Sequence, residues 1–175
     1  LKRMHRRGNK ADILRCIKGA RERGLTLRTS IIVGFPGETE EQFEELLETL
    51  AEAEFDRLGA FAYSAEEGTP AFSFDGQIDP QTKSDRAEIV MNEQLTIAAE
   101  KNEERIGSVT EVLIEGYDDY IKCYFGRSTA DAPEIDAKVF FTTPRPLVIG
   151  EFVKVRIDDS IDYDLLGELE DEPTE

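Results

Sequence analysis

Cysteine is scarce in this 175-residue sequence: Cys16 and Cys123 stand far apart, with no third thiol near either. Two distant thiols do not make a disulfide framework, and their small number fits a reducing, cytoplasmic setting. Long apolar runs are also missing. None approaches the roughly 20 residues that a membrane-spanning helix needs, so no membrane partner is expected. The opening LKRMHRRGNK is basic but lacks the apolar stretch that follows the basic region of a secretory signal. Its first residue is Leu, which points to a piece of a longer protein. Histidine occurs once, as His5 among arginines, where a solvated basic segment outweighs a catalytic base.

Positive charge is short as well. Lys and Arg number 21 against 38 Asp and Glu, a formal net charge of −17, and the apolar share of 39% is enough for a core. Residues 1–28 hold ten basic and two acidic side chains, net +8. Residues 29–105 hold five and nineteen, net −14, and residues 106–175 hold six and seventeen, net −11. A partner meeting the carboxy-terminal part is therefore expected to be cationic or neutral. Nucleic-acid affinity comes largely from Lys and Arg displacing counterions, so a polyphosphate would be repelled there.

The first hundred residues alternate helix and strand. Asn9 has the position of an N-cap, with Ile13, Leu14, Ile17 and Ala20 on one helical face and Gly24 as the stop. Leu25–Gly34 reads as a buried strand. Thr39 and Gln42 have capping-box spacing and open a helix with a Phe43, Leu46, Leu47, Leu50 stripe. Arg57–Tyr63 is the next short strand, and Asp79-Pro80 starts a long helix that lines up Ala87, Met91, Leu95 and Ala98. This alternation is the pattern of a parallel sheet with helical crossovers. Two strands cannot finish such a sheet, so residues 1–105 are expected to be the carboxy-terminal part of a partial TIM-like βα barrel.

Near Gly107 the pattern turns to strands. Val112 and Ile114 alternate with polar neighbours, Asp118-Asp119 make a tight link, and Ile121, Cys123 and Phe125 share a face. Lys138–Phe141 and Phe152–Ile157 are further strands. About five short strands predict a small OB-like β-barrel over residues 107–170. The stretch GELEDEPTE reads as an acidic tail, disordered over 171–175.

The sharpest local signal is Ile31-Ile32-Val33-Gly34-Phe35-Pro36-Gly37-Glu38-Thr39. In a parallel barrel such a strand-to-helix turn lies on the rim where active sites collect. Glycines there let backbone approach a ligand, and N–H groups at a helix start favour an anion. A structural βα turn accounts for the glycines equally well, and the Lys and spacing of a Walker motif are absent.

The full string resembles the radical S-adenosylmethionine methylthiotransferase family. The resemblance runs through Leu1-Lys2-Arg3-Met4-His5-Arg6-Arg7, Ile32–Thr39, Phe55-Asp56, Tyr63-Ser64 and Gly68-Thr69-Pro70-Ala71, in family order. The β-barrel is similar to the TRAM domain that ends these proteins. Three features resemble the branch acting on an aspartate of small-subunit ribosomal protein twelve rather than the branch acting on tRNA adenosines. Arg28 precedes Thr29-Ser30, where tRNA enzymes place Thr-Asp. Glu66-Glu67 stand where the tRNA branch carries a basic residue. Gly126-Arg127-Ser128 with Ala132-Pro133-Glu134-Ile135-Asp136 is similar to the protein-modifying TRAM signature, although Ala137 replaces its commoner glycine.

The resemblance implies S-adenosylmethionine and two 4Fe–4S clusters as cofactors. One cluster delivers an electron, the resulting radical abstracts hydrogen from the aspartate β-carbon, and the second supplies the sulfur that is methylated. It implies that the cluster cysteines lie before Leu1, that the chain alone is inactive, and that the ribosomal protein is the partner. Direct nucleic-acid binding by the acidic TRAM part is not expected. Strand alternation puts Arg28, Ser30 and Ile32 on one face, and with Gly34, Tyr63 and Ser64 they are the candidate cofactor wall. Arg28 pairs either with a cofactor or substrate carboxylate or with another lumen residue. Arg127, Glu134 and Asp136 are candidate substrate-docking residues, or alternatively an internal brace for a long loop. The rival readings are a tRNA methylthiotransferase and, from another class, a non-enzymatic acidic binding module.

Overall fold

A computed structural model describes residues 7–170, which form two compact units divided between Ile97 and Ala98. The LKRMHR segment and the last five residues, to which a motif and the acidic tail were assigned, lie outside the described residues.

In the first unit α1 spans Lys10–Arg21, and Asn9 caps it by accepting from Asp12 N–H. Its end carries the paired bonds of a Schellman motif, Leu25 N–H to Ala20 C=O and Gly24 N–H to Arg21 C=O, with Gly24 at φ +69°. Strand β1, Arg28–Val33, runs parallel to β2, Arg57–Ala62, in a register that pairs Arg28 with Arg57 and Ile32 with Phe61. Between them α2, Glu40–Ala53, begins with the expected capping box of Thr39 and Gln42. Leu27, Val33, Phe43, Leu50, Ala53, Phe55 and Val90 make the core, with Ile31, Leu58 and Ala60 packed on it.

Two expectations are corrected here. The strand is shorter than Leu25–Gly34 and is buried on one side only: Ile32 stays 49% exposed beside Phe61 at 58%. The helical core covers the side bearing Ile31, Leu58 and Ala60, and no described residue buries the other in the same way. Helix α3, Pro80–Glu103, keeps Ala87 packed on the core, Met91 against Ala60 and Ala98 buried as expected, and departs from the expected stripe at Leu95. Val90 and Gln94 are buried whereas Leu95 is exposed. A polar residue in the buried row hides that row from a pattern based on apolar spacing: Gln94 Nε2 donates to Phe55 C=O at 2.9 Å.

The second unit contains a closed barrel of β3 (Val109–Asp118), β4 (Cys123–Arg127), β5 (Val139–Thr142), β6 (Phe152–Ile161) and β7 (Asp164–Leu169). Its order is β3-β4-β5-β7-β6, closed by β3 on β6, and all neighbours are antiparallel except β5 and β7. This is an OB-like, five-stranded mixed barrel. Val112, Ile114, Val139, Phe141, Val155, Ile157 and Leu165 fill it. The start of GELEDEPTE belongs to the barrel and not to a tail, because Gly167, Glu168 and Leu169 complete β7. Ile121 leaves the face expected for it: it is 54% exposed in the turn before β4, while Cys123 is buried.

Candidate functional site

The turn after β1 is held by charge. Gly34, at φ +72°, donates its N–H to Glu38 Oε1 at 2.8 Å, and the same oxygen receives Arg86 Nη1 at 2.7 Å. Arg86 Nη2 reaches Glu40 Oε2, also at 2.7 Å. Burial alone would lower the Arg86 pKa, but the bonds and charges of Glu40 and Glu38 outweigh it and hold the guanidinium above its ordinary value. Phe43 lies under that guanidinium at 5.1 Å. Nothing in the apolar pattern marked Arg86; a basic residue within the long helix and two glutamates after the glycine turn were its only sequence signals.

The Gly34 N–H does not wait for an external anion, because the chain's own carboxylate accepts it. The space that a Gly34 side chain would need is filled by Lys83, whose Cγ would lie 2.2 Å from an added Cβ. Lys83 Nζ in turn donates to Tyr63 C=O at 3.0 Å and sits 5.6 Å from the Tyr63 ring. Tyr63 packs edge-on to Phe35, with ring centres 5.2 Å apart, and its hydroxyl is buried without a partner among the described residues. Ser64 follows it, exposed, donating to Glu66 Oε1 at 2.8 Å.

Arg28, Ser30 and Ile32 alternate with the packed residues of β1 and all three are exposed. Register brings Arg57, Gly59 and Phe61 beside them. One open surface therefore joins guanidinium, hydroxyl and apolar groups at a strand pair, with the orphaned Tyr63 hydroxyl just past its carboxyl end. That mixture fits a ligand with an aromatic base, a sugar and a charged amino-acid end. It does not fit an iron–sulfur cluster. Cys16 is exposed on α1, Cys123 is buried in the barrel, and no trio of His, Cys, Asp or Glu suited to a metal occurs among the described residues. Burial, and then the negative charge of Asp118, push the Cys123 thiol up.

The three barrel residues singled out from the sequence lie at the end of β4 and in the loop that follows it. Arg127 Nε pairs with Glu115 Oε1 across β3 and β4 at 2.8 Å. Asp136 Oδ2 accepts from Ala132 N–H at 2.7 Å, inside its own loop. Glu134 is exposed at φ +61°. The neighbouring Ser128 and Asp131 are buried and share a bond of 2.6 Å. Gly126 is required by space: a Cβ there would meet Leu113 O at 2.1 Å.

Among the described residues no helix is long and apolar enough to cross a membrane. The radical SAM superfamily matches residues 1–50 and the TRAM domain matches residues 106–169. A ribosomal protein uS12 methylthiotransferase RimO from Desulforamulus reducens is 52% identical over 83% of the chain and 33% of its own length. Proteins of that same name from Clostridium botulinum (47% identical, 98% of the chain, 39% of the relative) and Pelotomaculum thermopropionicum (48%, 96% and 38%) are also similar. The chain thus spans between a third and two fifths of the length of these relatives.

Proposed function

The chain belongs to the radical S-adenosylmethionine methylthiotransferase family, and on that premise we propose that it serves the methylthiolation of an aspartate β-carbon on ribosomal protein uS12. The observation that carries the reading is the likeness to three uS12 methylthiotransferases over both units, from the glycine turn through the barrel. Net charge adds to it. The barrel region's −11 suits a cationic ribosomal protein and repels an RNA backbone.

In this reading the open face of β1 is one wall of the S-adenosylmethionine cleft. Bound S-adenosylmethionine supplies hydrogen abstraction and the methyl group. Ile32 offers apolar surface to the adenine, Ser30 a hydroxyl to the sugar, and Arg28 a charge-assisted bond to a carboxylate of cofactor or substrate. Gly34 leaves room at the rim for the Lys83 stem. Ser64 continues the rim with an exposed hydroxyl, and Tyr63, its own hydroxyl buried, closes it with a ring packed on Phe35. Arg127, Glu134 and Asp136 belong to the surface turned to the substrate. Among the described residues no ligand set for an iron–sulfur cluster occurs, and no cluster step is assigned to them.

Mass spectrometry of uS12 and of tRNA, from cells with and without the gene, tests the assignment. Loss of the thiomethyl group from uS12 is expected on deletion. Loss of thiomethyl-adenosine from tRNA with uS12 unchanged would replace the reading with the tRNA branch.

A further inference from the structure

We propose that Lys83 and Arg86 of α3 are positioning residues for the cofactor cleft, gripping from one helix face the two strand ends that make its rim. The inference rests on the S-adenosylmethionine reading above and deepens it, since both side chains act through the rim residues Gly34 and Tyr63.

Positions 83 and 86 are three apart, so they are neighbours on the surface of α3. Each takes one strand end. Arg86 Nη1 donates to Glu38 Oε1 at 2.7 Å, and that oxygen also accepts the N–H of Gly34, the first residue after β1. Lys83 Nζ donates to the C=O of Tyr63, the first residue after β2, at 3.0 Å. The two ends are tied to each other as well, because Tyr63 N–H donates to Val33 C=O at 2.9 Å. A third strap brings in the loop after β2. Gly37 N–H donates to Gly76 C=O at 2.9 Å, and Phe35 meets the Phe74 ring edge-on at 6.1 Å. The Lys83 stem itself fills the space beside Gly34. Helix α3 thus sets the backbone on both sides of the rim, and Ile32 lies only two residues before one of the points it grips.

Fold stability alone does not ask for these groups. Taking a charge pair out of water costs about as much as the attraction returns, and well-packed apolar residues often serve as well. Arg86 is buried and its Nε has no partner among the described residues, so the pair is not the most stable filling for that place. What a forked guanidinium supplies is direction. Glu38 and Glu40 meet it at 2.7 Å each and leave the turn one arrangement. A ligand wall needs such precision, since a misplacement of about 1 Å can lower a rate about 100-fold.

The test uses the full-length protein, with S-adenosylhomocysteine as an equilibrium probe that can donate neither a methyl group nor a radical. Lys83→Met keeps a stem beside Gly34 but cannot donate to Tyr63, so its melting should match the wild type while the probe binds about tenfold more weakly. Arg86→Lys keeps the charge without the fork. It is expected to melt lower and, well below that melt, to bind the probe about tenfold more weakly too. In turnover both variants should raise the KM for S-adenosylmethionine and leave that for uS12 unchanged. Folded variants that bind the probe as the wild type does, while Ile32→Glu binds it poorly, overturn the positioning role and leave the cleft reading intact. Equal losses for cofactor and uS12 would mark a general loosening and overturn the role as well. A wild type that binds no probe, or an Ile32→Glu variant that binds it fully, overturns the cleft reading and the inference with it.

Discussion

Arg86 and Gly34 are joined through one oxygen: Glu38 Oε1 accepts from the guanidinium at 2.7 Å and from the glycine N–H at 2.8 Å. The Arg86 and Glu38 side chains are only 8% and 14% exposed, whereas Glu40 is 67% exposed. Removing one member of a buried pair costs about 3–5 kcal/mol, because the other is left charged and unpaired. Arg86→Met is therefore expected to destabilise the first unit by about 3 kcal/mol. Glu40→Gln is expected to cost less than about 1 kcal/mol, as for exposed pairs. Denaturant unfolding of the full-length protein compares the two, and equal losses would show that the Glu38 bond is not the dominant one.

Gly34 and Lys83 are coupled by space. Gly34→Ala puts a side chain at φ +72°, which costs roughly 1–2 kcal/mol, and also drives a Cβ into the lysine stem. Lys83→Ala removes the Cγ and Cδ that would be struck, but leaves a Cβ at 3.1 Å. The double variant is thus expected to be less destabilised than the two single losses added together. A double-mutant cycle measures this, and strict additivity would mean that the lysine stem moves aside freely.

Much of this was legible beforehand. Asn9, the Thr39–Gln42 pair and the Phe43–Leu50 stripe act locally, within a turn or two, and the structure repeats them. The alternation in Phe152–Ile157 likewise survives, because one face of a barrel strand must be apolar. Arg86 was not legible, since its partners lie 46 and 48 residues away and nothing local betrays them. Strand β7 was hidden for a related reason. Gly167 weakens a strand pattern, yet a Cβ there would meet Arg156 O at 2.1 Å, so close approach of β6 selects glycine.

Gly126 faces the same constraint in β4. The Leu113 carbonyl would be 2.1 Å from an added Cβ, and Val112 Cγ1 would be 2.8 Å away. Backbone cannot withdraw as a lysine stem can. Gly126→Ala is expected to open the β3–β4 pairing and abolish the cooperative melt of the barrel, which hydrogen exchange of its strand amides follows. Full protection of β3 amides in the variant would contradict it.

The two thiols should separate chemically. Cys16 is exposed, while Cys123 is buried and its pKa is raised by desolvation and by Asp118. Only the thiolate reacts readily with alkylating reagents. At mildly alkaline pH Cys16 is expected to label well before Cys123, and the difference should vanish in denaturant. Peptide mass mapping reads both sites, and early labelling of Cys123 would place it outside the barrel wall.

Asp79 gives the pH test at the start of α3. Its Oδ1 accepts from Thr82 N–H at 2.9 Å, and its other oxygen accepts from the Thr82 hydroxyl. The hydroxyl bond first, and then the backbone bond, hold its pKa below the usual carboxylate range. A depressed folded-state pKa means that the ionised form favours the fold. That contribution is complete above the unfolded-state value of about 4 and is lost as pH falls through the folded-state value. Asp79→Asn keeps an acceptor for Thr82 N–H but cannot ionise. The wild type is accordingly expected to melt higher than the variant at neutral pH, with the gap closing in acid as Asp79 takes up its proton. A gap that stays constant or widens on acidification would show that the carboxylate charge does not support this helix start.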